Sequence, residues 1–312
     1  MSSFIAYNSG YVFLSSAVKR SYTNKFLEAT VTVNPRRLIS KNGKHLKLLP
    51  HNIAGRVGGI DLEAIKTVSL TKIYGSNVGV ENLNLEVFSG ETFGFLGPNG
   101  SGKTTTVRLL NCIIRPTSGR AKVGGYDILS ESEKVKRITG LLPETPGIYE
   151  RLTAHEFLEF IGSLYDVPQP ILKRRINDLL DFFELGDRGD ELLEGFSKGM
   201  KQKVLLASAL IHDPEIVFLD EPTSGLDPVS SRMVKDLIKM LSSETNKTFF
   251  ICTHILPLAE EVCERIGIID RGQLKEVGSP EELKEKYGAK NLEEVFLQVT
   301  GKNVTKDMIE WV

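Results

Sequence analysis

From Ala64 onward the chain alternates between two hydrophobic periods. "AIKTVSL" (64–70) and "LNLEVFSGE" (83–91) read as strands, the second with apolar residues at alternate positions. "ETFGFLG" (91–97), "EIVFLD" (215–220), "TFFICTH" (248–254) and "IGIID" (266–270) are short, nearly continuous apolar runs, as expected of buried strands. "SGRAKVGGYDI" (118–128) is turn and strand. Helical stretches separate them: "TTTVRLLNCII" (104–114), most of 154–194 with Pro168 and Pro170 dividing two helices, one after Gly199, one near 229–242 and one near 256–265. Ser279-Pro280-Glu281-Glu282 starts a further short helix. Leu292, Val295, Phe296 and Val299 form an apolar stripe at helical spacing. Alternating strands and helices with buried strands predict a mostly parallel α/β sheet. The block at 154–194 reads as an inserted helical subdomain.

Residues 1–61 carry none of this periodicity. They mix Ser, Asn, Gly and Lys/Arg and read as a basic, poorly ordered extension. Before position 61 there are nine basic residues and one acid, Glu28; from 61 onward there are 30 basic and 39 acidic, so a head of +8 precedes a body of −9. The acidic body speaks against a nucleic-acid partner, which calls for a clustered basic face. A Lys/Arg-rich, acid-poor head suits a transit peptide, a membrane-surface arm, or a coding start set upstream of a true one at Leu62. In "FIAYNSGYVFLSSAV" the charges follow the apolar stretch, the reverse of a signal peptide. No run of about 18 apolar residues occurs, so no transmembrane helix is expected. Cys112, Cys252 and Cys263 have no metal-ligand or disulfide spacing, which suits a reducing cytoplasm.

Two stretches carry the chemistry. "GPNGSGKT", Gly97 to Thr104, matches G-x-x-x-x-G-K-[ST] and stands between a strand and a helix, the context that motif requires. Its glycines let backbone N–H groups turn inward around phosphates, and the helix start adds partial positive charge. Lys103 reaches the β- and γ-phosphates in such a loop, and Thr104 a Mg²⁺ ion. "EIVFLDEP" places two carboxylates, Asp220 and Glu221, at a strand end, the first suited to the metal and the second to general-base work on water. By contrast, "EGFSKGMKQK" (194–203) puts Ser197 and Gly199 at a helix start with no acid, base or ligand beside them. An ordinary helix cap explains Ser197 by itself.

Together these motifs resemble the ATP-binding subunits of ABC transporters, over about Ala64 to Gly301. "PTSGLDP" is similar to the family's D-loop, with Asp227. "ICTH" is similar to its switch histidine, His254. "FSKGM" stands where the signature does, and Tyr74 in "TKIYG" matches the aromatic that stacks on adenine. The resemblance implies a phosphate-loop cassette with a RecA-like parallel core, a small antiparallel β subdomain and the helical subdomain (about 145–205). The cassette would cover 62–290, with a helical tail at 291–312. The signature reads Phe196, Lys198 and Met200 where Leu, Gly and Gln are usual, and this variant and the tail "NLEEVFLQVTG" are similar to the drug- and sodium-export branch. Where the Q-loop glutamine is expected, the chain has Glu144.

The resemblance also implies roles. Gly97, Pro98, Asn99, Gly100, Ser101, Gly102, Lys103, Thr104 and Thr105 would hold ATP with Tyr74. Thr104, Asp220 and Glu144 would hold Mg²⁺, Glu221 would activate water, and His254 would steady the γ-phosphate. Ser197, with the helix start at Gly199, would cap the γ-phosphate bound by the partner in a head-to-tail homodimer formed on ATP binding, which gives the isolated serine a function, and Asp227 of the D-loop would also bind the nucleotide. The implied protein is a cytoplasmic ATPase that powers a separate exporter permease of about six spans, on the inner face of the cell membrane. The alternative is a soluble ABC ATPase of translation, repair or cluster assembly, though such proteins usually pair cassettes or carry large inserts. A catalytically weak regulatory module fits poorly with an intact Glu221 and His254. A GTPase would carry Asn-Lys-x-Asp, which is absent.

Overall fold

The structure is a computed structural model of the chain, and it describes residues 56–57, 60–144 and 147–301. The chain divides between residues 59 and 60. The reading of 1–61 as an extension falls almost wholly outside the described residues, as does the tail beyond Gly301.

Two sheets form the body. The first is antiparallel: β1 (Glu63–Tyr74), β2 (Asn77–Phe88), β4 (Ser118–Val123) and β5 (Tyr126–Asp127), in the order β2-β1-β4-β5. The second has six strands. These are β3 (Thr92–Leu96), β6 (Thr139–Leu142), β7 (Ile216–Asp220), β8 (Thr248–Thr253), β9 (Arg265–Asp270) and β10 (Gln273–Gly278), in the order β10-β9-β3-β8-β7-β6. All its pairings are parallel except β9 with the edge strand β10. The helices of the cassette are α1 (Lys103–Leu110), α2 (Ser132–Ile138), α3 (Ala154–Leu164), α4 (Gln169–Phe182), α5 (Lys198–Leu210), α6 (Pro228–Thr245), α7 (Leu256–Val262), α8 (Pro280–Tyr287) and α9 (Leu292–Thr300).

The continuous apolar runs are explained by burial on both faces. Phe93, Phe95, Phe218 and Phe250 point into a core shared with α1 and the antiparallel sheet. Their neighbours Leu96, Val217, Leu219, Phe249 and Ile251 point into the opposite core, shared with α3 to α7. Phe250 sits between Phe93, Phe95 and Phe218, with ring centroids 5.3–5.7 Å away. Aromatic groups at these separations pack by offset or tilted faces.

Parallel register sets the site. Leu96 pairs with Thr253, Asp220 with Cys252, and Leu142 with Leu219. Four strands therefore end level, and the residues just beyond them share one rim. A parallel sheet binds its ligands at that carboxyl edge. The phosphate loop follows β3, Glu144 follows β6, Glu221 follows β7 and His254 follows β8. In the helical block, α3 starts with a full capping box between Thr153 and Glu156. Helix α5 runs past residue 205 to Leu210 and packs on β6, tying that block to the sheet.

Candidate active site

The phosphate loop is shaped by contacts that leave no room for side chains. Gly102 caps α1 at φ 111°, and a Cβ there would stand 2.3 Å from the Gly79 carbonyl oxygen. A Cβ on Gly97 would stand 2.4 Å from the carbonyl oxygen of Ile269. Both positions require glycine. Lys103 is buried, and its Nζ donates to the carbonyl oxygens of Gly97 (2.7 Å) and Pro98 (3.2 Å). An ammonium has three donors, so one is left for a phosphate oxygen.

A cleft of about 160 Å³ lies over this loop, lined by Asn99, Gly100, Lys103, Thr104, Asp220 and Glu221 among others. Glu144 and Thr105 also line it. The Thr104 hydroxyl donates to Asp220 Oδ2 at 2.8 Å, and Glu144 Oε2 stands 3.3 Å from the same oxygen. One hydroxyl proton serves one acceptor well, so Asp220 takes it and Glu144 stays second. Burial pushes the Asp220 carboxyl up to about 6; the Thr104 hydroxyl opposes this, and the charges of Glu144 and Glu221 add to it. Its Oδ1 is buried with no partner.

That orphaned oxygen fits a cation. Three carboxylates face one lysine in the cleft, and a hard divalent ion seeks charged oxygen. Among the described residues no group of three or more His, Cys, Asp and Glu forms a metal cage. Mg²⁺ needs none, since it binds through one or two carboxylates, waters and substrate phosphates. Thr104 and Asp220 fit as its ligands, with Glu144 beside them.

Glu221 lies one residue past β7 at φ 53°, in the left-handed region. Its Oε1 accepts from the His254 backbone N–H at 3.0 Å and lies 2.7 Å from His254 Nδ1. An ionised carboxylate only accepts, so Nδ1 carries a proton here. The ring then donates to a phosphate through Nε2 only if it is charged, or through Nδ1 if it turns away from Glu221. The imidazole is more than half exposed and free to do so.

The remaining sequence-identified residues lie apart. Tyr74 ends β1, 44% exposed. A Cβ on Gly79 would stand 2.8 Å from its ring and 3.1 Å from Thr105 Cγ2, so ring and loop flank one glycine. Ser197, Gly199 and Asp227 do not line the cleft. Ser197 is exposed and caps α5, accepting from Met200 N at 3.3 Å. Asp227 caps α6, accepting from the N–H groups of Val229 and Ser230. Two participants were missed in the sequence. Gly79 lines the cleft; it stands between the two runs read as strands and falls inside β2 only in the structure. Thr253 donates to Glu221 Oε2 at 3.0 Å, and it is found only through the β7–β8 register.

Comparison with known proteins accords with this geometry. The ABC transporter family model matches residues 80–224. The chain is 42% identical over 212 residues to the bacitracin transport ATP-binding protein BcrA of Bacillus licheniformis, covering 68% of each chain. It is 36% identical over 239 residues to the linearmycin resistance ATP-binding protein LnrL of Bacillus subtilis, covering 77% of this chain and 76% of that one. A dimeric ATP-binding cassette solved with ADP and Pi in a post-hydrolysis state superposes with a TM-score of 0.65 at 27% identity, over 69% of this chain and 98% of that one. With a phosphate loop, a carboxylate pair and a histidine converging on one rim, the chain belongs to the ABC transporter ATP-binding proteins and is an ATP-binding and hydrolysing cassette.

Proposed function

We propose that the chain powers an antibiotic or drug exporter by binding and hydrolysing ATP as a head-to-tail homodimer beside a separate membrane permease of about six spans. Among the described residues no helix is long and apolar enough to cross a membrane; support for a membrane partner comes from relatives named as ATP-binding proteins of transport. Work at the inner face of the cell membrane follows from that partnership. Support for export comes from relatives named for transport of bacitracin and resistance to linearmycin and daunorubicin.

Within one chain, the loop N–H groups and Lys103 hold the phosphates, and the adenine stacks on Tyr74. Thr104, Asp220 and Glu144 hold Mg²⁺, which when bound neutralises phosphate charge. Glu221 takes a proton from the attacking water. The His254 ring, released from Glu221 or charged, donates to the γ-phosphate. The observation that carries the dimer is the exposed Ser197, with its helix start, standing outside its own chain's cleft. Free N–H groups at a helix start bind anions, and a second copy supplies the phosphate. The Glu144 side of the cleft and the helical subdomain form the permease side.

The test is Glu221→Gln. The variant should keep ATP binding and lose turnover by roughly 10²–10⁴, the contribution of a positioned base. On sizing chromatography it should run as a dimer with ATP and a monomer without. Normal turnover would remove Glu221 from the role.

A further inference from the structure

Among the described residues, every side-chain bond of the Glu221 carboxylate comes from the end of β8. The parallel pairing of Asp220 with Cys252 brings Thr253 and His254 level with Glu221, and Glu221 N donates to the Cys252 carbonyl at 2.8 Å. The two carboxylate oxygens are then shared out: Oε1 to His254, Oε2 to the Thr253 hydroxyl at 3.0 Å.

The two donors differ in kind. The His254 ring is exposed and free to turn, whereas Thr253 is 0% exposed and cannot. Its hydroxyl also accepts from Ile255 N–H at 3.0 Å. A hydroxyl with a lone pair so engaged has a fixed rotor, and its single proton is directed at Oε2. Glu221 itself sits at φ 53°. A residue with a Cβ stays in that region only where its surroundings hold it.

We propose that Thr253 is a positioning residue for hydrolysis: its buried hydroxyl fixes the rotation of the Glu221 carboxylate. It does not line the cleft, and it acts through Glu221. When the His254 ring swings to the γ-phosphate, Thr253 and the His254 backbone N–H still hold the base in place. The proposal rests on reading Glu221 as the base.

The experiment is a double-mutant cycle in single-turnover hydrolysis, with ATP affinity measured alongside. Thr253→Val keeps the shape and loses the hydroxyl; Thr253→Ser keeps the hydroxyl. Thr253→Val should lower kcat about ten- to a hundredfold, the range for a lost hydrogen bond to a charged group. It should leave KM and ATP affinity within about twofold, since binding is untouched. Thr253→Ser should restore most of the parent kcat. In a Glu221→Gln background the Val change should cost nothing further, because residues acting as one unit are non-additive. An equal loss in both backgrounds, or a Ser variant as slow as Val, overturns the proposal. Normal turnover of Glu221→Gln alone overturns the reading of the base instead. If Thr253→Val does not fold, Thr253→Ser against Thr253→Ala makes the same contrast.

Discussion

Asp220 pays for the site in stability. Burial holds its carboxyl near 6, well above the usual 3.8. The folded chain therefore binds more protons than the unfolded chain between about pH 4 and 6, and stability falls as pH rises through that window. Above pH 6 the full cost stands, about 3 kcal/mol at most for a shift of this size. Asp220→Asn removes the charge and keeps an acceptor for Thr104. Without nucleotide, the variant should melt several degrees above the parent at pH 7.5, and the gain should shrink towards pH 5. Thermal melts at the two pH values decide it; an equal difference at both would mean the charge is not the cause. Glu144 is the second residue to test. Its carboxylate stands 3.3 Å from the Thr104 hydroxyl, where a glutamine is usual in the family. Charged oxygen favours a hard cation, while a further negative charge near the γ-phosphate opposes closure with ATP. Glu144 is exposed, so its side chain can turn from phosphate, and we expect the metal effect to dominate. Glu144→Gln should then need several times more Mg²⁺ for half-maximal ATPase, with ATP affinity nearly unchanged. A magnesium titration equal to the parent's would remove Glu144 from the ligand set.

On the proposed reading, helix α5 puts two functions on one side chain, Ser197. Ser197 caps the helix, but through a long 3.3 Å bond at an exposed end. Loss of such a cap costs about 1 kcal/mol or less. Ser197→Ala should therefore barely move the melting temperature, yet lower ATPase more than tenfold, as loss of a transition-state donor does. A fall in stability without a fall in turnover would leave the cap as its only role. Elements of this kind were legible because their signals are local. The phosphate loop and its strand and helix are contiguous, and the strands buried on both faces read as unbroken apolar runs. Strand β6 was not found: it is four residues long and follows α2 without a turn. Helix α2 and strand β10 were not found either, and β10 is an edge strand in which only Gly278 is buried. The helix expected to 265 stops at Val262, because Arg265 is claimed by pairing with Phe93. Likewise "TTTVRLLNCII" stops at Leu110, where Asn111 ends α1 and Cys112 turns to φ 58°. In the site, the motif residues were legible and Thr253 was not, since its partner is 32 positions away in sequence and reached only by strand register.

For the whole molecule, the question is why one chain carries a complete phosphate loop and a signature segment that do not meet. The cleft is lined by Lys103, Asp220 and Glu221 but not by Ser197 or Asp227, which on the proposed reading makes it half of a composite site. Exposed Val229 beside Asp227 and exposed Ser197 at the head of α5 are surfaces that a second copy would cover. Mixing two dead variants separates the two geometries. Lys103→Ala destroys the loop and leaves the signature; Ser197→Arg blocks the signature and leaves the loop. If both elements serve the same chain's nucleotide, no mixture has an intact site. If they serve each other's, a mixed dimer has one site with both defects and one with neither. An equimolar mixture should then regain up to about a quarter of the parent ATPase, half the dimers being mixed and each holding one working site, if the sites act independently. Where hydrolysis needs both sites, that signal is lost. Covalently linking the two copies removes the ambiguity: with both substitutions confined to one site the linked dimer should occlude one ATP, and with one substitution in each site it should occlude none. Equal occlusion by the two linked forms would show that signature and loop do not share a nucleotide.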